Sequence, residues 1–325
     1  MADARDTLLL PFDQDLLPQP DGDWLFLEAQ PLPGGALPEV LCEQGHRGFY
    51  LALEQAGYNT AAERDEISRA GALVLANRNR IANERNLARA WNATREGGVV
   101  AFAGDTNSSV KALRKWAGRR TEVAGSLSKH HAVVFWLIKS GDDWPLAEAP
   151  AVNHEFHVAP GMFSARDIDK GSALLAEQFV GKLHGRVADF GAGWGYLSAK
   201  ALEVSVEHIE LYEADHAALE AAKINAPGAA SFSWCDITSE APLRSNGGGT
   251  FDTIIMNPPF HTSRAAEPAL GQTFIEAASK ALPQGGRLLM VANSRLPYEA
   301  VLTKHFRRFS ALTHRDGFKV LEAVR

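Results

Sequence analysis

The stretch Val187-Ala188-Asp189-Phe190-Gly191-Ala192-Gly193-Trp194-Gly195-Tyr196 decides the fold. An apolar run carrying one acid enters three alternating glycines and continues into a helical pattern, Tyr196–Glu203. Glycine permits a tight turn and lets the backbone approach a ligand closely. The spacing of Gly191, Gly193 and Gly195 departs from the G-x-G-x-x-G of dinucleotide-binding turns, which disfavours an oxidoreductase. Asp189, beside Phe190 at the strand end, can hold a ligand's ammonium group directly or through water. Outward from this turn, short apolar runs alternate with helical patterns. Ile209–Glu213 reads as a strand, Ala217–Ile224 as a helix, Ser231–Trp234 as extended and Thr253–Met256 as a strand. A helix over Phe274–Leu282 stops at Pro283 and Gly285-Gly286, and the strand Arg287–Ala292 follows. Strands separated by helices give βαβ units and a mostly parallel sheet, hence an α/β fold.

Acids stand where such a fold places ligand contacts. Glu213 ends its strand 20 residues after Gly193 and can accept both ribose hydroxyls of an adenosine, with Asp215 as cap of the next helix. Asp236 can accept from an adenine amino group, with Ile237 against the ring, although an acid in this position serves equally well as a helix cap. The sharpest signal is Ile254-Ile255-Met256-Asn257-Pro258-Pro259-Phe260. Pro258 and Pro259 make a rigid loop without backbone donors. The side-chain carbonyl of Asn257 and the main-chain carbonyl of Pro258 can accept the two hydrogens of an exocyclic amine, whose lone pair is otherwise delocalised and poorly nucleophilic. Phe260 can stack on the planar group that carries the amine.

The chain has 325 residues, which predicts about two domains. Its turn-forming segment Gly141–Pro150 marks the junction. Gly97-Gly98-Val99-Val100-Ala101-Phe102 matches Gly285-Gly286-Arg287-Leu288-Leu289-Met290 at an offset of 188, and Ala72–Asn77 resembles Thr253–Asn257 at a nearby offset. The pattern implies duplication of one α/β domain, with the chemistry-bearing loops missing from the first copy. Net charge is −6 but unevenly spread. Residues 1–60 carry ten acids against Arg5 and Arg47, whereas Arg64–Lys129 carries thirteen cations and six acids. The basic stretch suits a polyanion, with Arg78, Arg80, Arg85, Arg114, Lys115, Arg119 and Arg120 as candidate contacts. Two cysteines, no basic leader before an apolar run and no apolar stretch of about 18 residues predict a cytoplasmic protein without membrane segments.

Taken together, these motifs resemble class I S-adenosylmethionine-dependent methyltransferases, and among them the ribosomal RNA small subunit methyltransferase C family; the large subunit methyltransferase G family is similar. The resemblance covers most of residues 65–325. Besides Asp189–Gly195 and Asn257–Phe260, it rests on Pro160-Gly161-Met162-Phe163-Ser164, Asp169-Lys170-Gly171-Ser172, Ser126-Leu127-Ser128-Lys129, Leu296-Pro297-Tyr298 and Gly317-Phe318-Lys319-Val320-Leu321. It implies two tandem Rossmann-like methyltransferase domains. Residues 1–145 would form a degenerate copy that binds RNA or supports its neighbour, and 150–325 the catalytic copy. It further implies S-adenosyl-L-methionine as cofactor, with Phe163 and the Gly171 segment closing over it. The partner would be rRNA or an assembling ribosomal subunit, with no membrane and no obligate protein partner, and the target the N2 amine of a guanine in small-subunit rRNA. The same Asn-Pro-Pro-aromatic loop serves enzymes acting on large-subunit guanine, adenine N6 or a protein glutamine amide. A non-catalytic RNA-binding module is the reading from a different class. The first 60 residues depart most from the family pattern.

Overall fold

The computed structural model describes residues 3–65, 67–147, 155–158, 161, 162, 164, 167–204, 206, 208–229, 231–240, 251–259 and 268–325. The chain divides into two compact units, Met1–Ala149 and Pro150–Arg325. In the first, the order is α1 (Ala4–Asp13), β1 (Trp24–Leu27), β2 (Leu41–Glu43), α2 (Arg47–Gln55), β3 (Asn59–Ala61), β4 (Arg69–Leu75), α3 (Arg80–Asn92), β5 (Thr94–Asp105), α4 (Val110–Ala117), β6 (Gly125–Lys129) and β7 (Ala132–Ile138). The second runs α5 (Lys170–Ala176), β8 (Arg186–Phe190), α6 (Tyr196–Glu203), β9 (His208–Glu213), α7 (His216–Asn225), β10 (Ser231–Trp234), β11 (Thr253–Met256), α8 (Pro268–Ala281), β12 (Arg287–Asn293), α9 (Glu299–His305), β13 (Arg308–Arg315) and β14 (Phe318–Val324).

Each unit is built on one seven-stranded sheet, and the strand orders β3-β2-β1-β4-β5-β7-β6 and β10-β9-β8-β11-β12-β14-β13 are the same. In each sheet six strands run in one direction, and only β7 or β14 is antiparallel, paired so with both of its neighbours. These are two tandem Rossmann-like domains, as the sequence pattern predicts. Strands covered on both faces are apolar throughout rather than alternating. All four residues of β11 are buried, with Ile254 and Met256 in the core on one face and Ile255 in the core on the other.

Three details differ from the sequence expectations. The acidic first 60 residues supply β1, β2 and β3, which complete the first sheet. The helix expected at Phe274 begins at Pro268. Gly271 resembles a breaker there, yet it is a packing residue: a Cβ on it would lie 1.9 Å from the Tyr298 hydroxyl. The third difference concerns the matching of Asn77 with Asn257. Val74 pairs with Phe102 as Met256 pairs with Met290, so Asn77 lies three residues past its register mark and Asn257 only one. The two asparagines are therefore not equivalent.

Candidate active site

The strand ends that the sequence singled out converge on one rim of the second sheet. Asp189 pairs in register with Ile255, so Asn257 lies two residues beyond that level on the neighbouring strand. The intervening glycine turn is left-handed at all three glycines, with φ of 71°, 56° and 89° at Gly191, Gly193 and Gly195. Gly195 begins α6 in this conformation, and a Cβ on it would meet Ala222 at 3.0 Å. At Gly193 nothing lies within 4 Å of where a Cβ would stand, which leaves the turn open to a ligand.

Asp189 is fully buried. Its Oδ2 accepts from Ser198 Oγ at 2.7 Å, while Oδ1 has no partner. Burial pushes its carboxyl up to about 7; the Ser198 bond opposes the shift and the charge of Glu213 adds to it. Glu213 accepts from Gly193 N at 2.7 Å and from Asp215 N at 2.8 Å, so it braces the glycine turn from the adjacent strand. Burial likewise pushes Glu213 up to about 7, against the pull of these N–H groups. An orphaned buried carboxylate oxygen beside an open glycine turn fits a cationic amino-acid moiety.

At the end of β10, Asp236 Oδ1 accepts from Thr238 N at 3.0 Å and from Thr238 Oγ1 at 2.6 Å, while Asp215 caps α7 by accepting from Ala218 N. Ile237 is 6% exposed and part of the core that includes Phe190 and Tyr212. Asp236 therefore stabilises its own turn, whatever it does for a ligand.

Beyond β11, the Asn257 side chain turns toward α5. Its Nδ2 donates to Asp169 Oδ2 at 2.9 Å and to Ser172 Oγ at 2.8 Å. Asp169 Oδ2 also accepts from Ser172 N at 2.7 Å, as the N-cap of α5. Gly171 makes this approach possible, since a Cβ there would lie 2.9 Å from the Phe318 ring and 3.0 Å from Asp169 Oδ2. Pro258 is buried and Pro259 exposed. Phe163 and Phe260 lie outside the described residues. Asp169 and Ser172 were legible only as parts of a motif; nothing in the sequence pairs them with Asn257.

Asn225 was missed altogether. At the end of α7 its Nδ2 donates to His157 O and to Trp194 O, both at 2.7 Å, and its Oδ1 accepts from His157 N at 2.7 Å. Phe156, beside His157, packs on Trp194 and Tyr196. Asn225 thus ties the 155–158 segment to the glycine turn.

The same rim of the first unit is filled by its own side chains. Ala29 N donates to Glu43 O as Gly191 N donates to Tyr212 O, which makes Gln44 the counterpart of Glu213. Gln44 Oε1 accepts from His46 N, as Glu213 accepts from Asp215 N; but Gln44 Nε2 donates to Ala29 O, where Glu213 accepts from Gly193 N. Glu28 accepts from Asn77 and Asn86, Asn83 bonds Asn77 and Ser109, and Arg89 pairs with Glu43. A rim whose polar groups satisfy one another offers little to a cofactor.

The family model of the Methyltransferase small domain matches residues 153–322. The Ribosomal RNA small subunit methyltransferase C of Erwinia tasmaniensis is 35% identical over 195 residues, 60% of this chain and 53% of that protein. Its namesake from Shewanella halifaxensis is 31% identical over 200 residues, 58% of this chain and 53% of that one. The chain thus spans about half the length of these curated relatives. In fold it matches the T. thermophilus 16S rRNA N2 G1207 methyltransferase in complex with AdoMet and guanosine. The TM-score is 0.80 at 23% identity, covering 99% of this chain and 91% of that one.

Proposed function

The chain belongs to the Methyltransferase small domain family, and from that premise we propose that it methylates the exocyclic N2 amine of a guanine in 16S rRNA with S-adenosyl-L-methionine as donor. The observation that carries this reading is Asn257, placed beside a rigid Pro-Pro loop with both hydrogens of its amide directed to α5. That leaves a carbonyl to meet an amine. When bound, the cofactor supplies an electrophilic methyl group on a sulfonium. Asp189 Oδ1 and the Gly191–Gly195 turn would hold its amino-acid end, Glu213 its ribose, and Asp236 with Ile237 its adenine. Asn257 Oδ1 and the Pro258 carbonyl would accept the two amine hydrogens, favouring a pyramidal nitrogen and aiming its lone pair. Phe260 would stack on the base. These contacts strengthen as the nitrogen rehybridises, so they act on the rate more than on binding. The released proton passes to solvent.

The relatives named for small-subunit rRNA support the nucleic-acid target, and the first unit supplies a surface for it. Arg80 is paired with Glu84, and Arg85 donates to Ala147 O. Lys111, Arg114, Lys115, Arg119 and Arg120 are all exposed on α4 and the turn after it, with Arg114 donating to Ser126 Oγ and Arg120 donating to Trp116 O while lying over the Trp116 ring. Such a surface grips phosphates by releasing counterions. Among the described residues no helix is long and apolar enough to cross a membrane.

The test is methyl transfer from labelled cofactor to 16S rRNA in vitro, with the product nucleoside identified by mass spectrometry. Label in N2-methylguanosine is expected; label in N6-methyladenosine, or in protein only, overturns the assignment.

A further inference from the structure

We propose that Asp169, with Ser172, is a positioning residue for the Asn257 amide, fixing which end of that amide meets the target amine. This rests on the methyl-transfer reading above. An asparagine amide has two nearly isosteric ends, one a double donor and the other an acceptor. Only the acceptor end can take hydrogens from an amine, so a freely flipping amide would be mispresented in part of its population. Asp169 removes that freedom. An ionised carboxylate accepts but does not donate, and its Oδ2 stands 2.9 Å from Asn257 Nδ2. A flipped amide would set oxygen against oxygen at that distance. The second hydrogen of Nδ2 goes to Ser172 Oγ at 2.8 Å, so both donors are accounted for and Oδ1 is turned away from α5.

The carboxylate is itself held. Half-buried Asp169 takes the N–H of Ser172 on its Oδ2 at 2.7 Å, and both Gly171 and Ser172 are buried. The absence of a side chain at Gly171 admits both the Phe318 ring and Asp169 Oδ2 at about 3 Å from the Cβ position. One turn of α5 therefore combines an N-cap, a spacer glycine and a second acceptor. Their joint geometric consequence is the orientation of an amide 88 residues away in sequence.

Two variants separate capping from positioning. Asp169→Ser keeps a side chain that caps helices well but is too short to reach Asn257. Asp169→Asn keeps an acceptor oxygen of the right reach. For Asp169→Ser we expect unchanged cofactor affinity, a fall in kcat of about 10- to 100-fold with KM for rRNA within about threefold, and recovery of most of the loss in Asp169→Asn, the range being part of what a lost electrostatic contact costs. In an Asn257→Ala background Asp169→Ser should cost no further rate, because the group it positions is gone. A loss of equal size in both backgrounds, or wild-type kcat in Asp169→Ser, overturns the proposal. A second readout needs no activity. The Asn257 side-chain NH2 resonances, assigned by their disappearance in Asn257→Ala, should exchange slowly with solvent in the wild type and rapidly in Asp169→Ser. Unchanged exchange overturns the proposal even where the wild type methylates no rRNA, whereas an inactive wild type with the predicted exchange refutes the proposed reaction alone.

Discussion

Replacing Glu213 by glutamine makes the second unit imitate the first at one position, because Gln44 is the structural counterpart of Glu213. In the first unit the amide oxygen keeps the bond to the residue two positions on, while the amide nitrogen donates to Ala29 O. In the second unit the nitrogen would face Gly193 N–H, a donor against a donor, where the carboxylate now accepts at 2.7 Å. Glu213→Gln therefore loses one charge-assisted hydrogen bond to the glycine turn but keeps its bulk and the bond to Asp215 N. Hydrogen bonds to charged groups contribute about 1.5–3 kcal/mol. If the turn must be braced to receive the cofactor, affinity drops by about 10- to 150-fold at 1.4 kcal/mol per tenfold. Glu213→Ala, which removes both bonds and any ribose contact, should lose at least as much. Calorimetric titration with S-adenosylmethionine and its demethylated product measures this directly, with thermal unfolding to show that the variants are folded. Wild-type affinity in both variants would refute the role given to Glu213.

Four other outcomes follow from the same geometry. Asn257→Ala should keep cofactor affinity but lose about 10²–10³ in turnover, the usual cost of removing one transition-state acceptor or donor; turnover at the wild-type rate would contradict it. Asn225→Ala removes three hydrogen bonds that tie His157 to Trp194 O, so cofactor affinity should fall several-fold while the rate at saturating cofactor holds, and unchanged affinity would show that this tie does not support the turn. Asp189 and Glu213 are both pushed up to about 7 by burial, whereas unfolded carboxyls titrate near 4. The folded state then binds more protons across that window, so ligand-free stability should decline as pH rises from about 4 to 7, while affinity for the cationic cofactor rises through pH 7; thermal scans and titrations at pH 6 and 8 would show the opposite order if the reasoning fails. Reversing Lys111, Lys115 and Arg119 should weaken 16S rRNA binding and flatten its salt dependence by about 0.7–0.9 per lost phosphate contact, leaving cofactor affinity alone; an unchanged slope would assign the first unit a supporting role only.

How much was legible in the sequence depends on how local the signal is. The strand at Thr253–Met256 and the helix at Tyr196–Glu203 were read at their observed limits because burial on both faces and a glycine entry leave short-range marks. The duplication was visible at Gly97–Phe102, where both copies keep a glycine pair before an apolar strand, and the shared strand order bears it out. It was invisible in residues 1–60, whose β1, β2 and β3 are short strands set among acids and prolines. The first turns of α8 were missed, and Gly271 within them, needed by a distant Tyr298, has the look of a helix breaker. His130 and His131 both have positive φ and form the turn between β6 and β7, which no turn-forming residue type marks in the sequence. At the site, Asp189, Glu213 and Asn257 announce themselves by position at strand ends. Asp169, Ser172 and Asn225 do not, because each works through a contact across the fold.

The most direct test of the central claim is nucleoside analysis of 16S rRNA from cells lacking this chain, complemented with the wild type or with Asn257→Ala. The account predicts that one N2-methylguanosine disappears from 16S rRNA, returns with the wild type and stays absent with Asn257→Ala. An unchanged 16S rRNA methylation profile in cells lacking the chain, or a loss confined to 23S rRNA or to an adenosine, would contradict it.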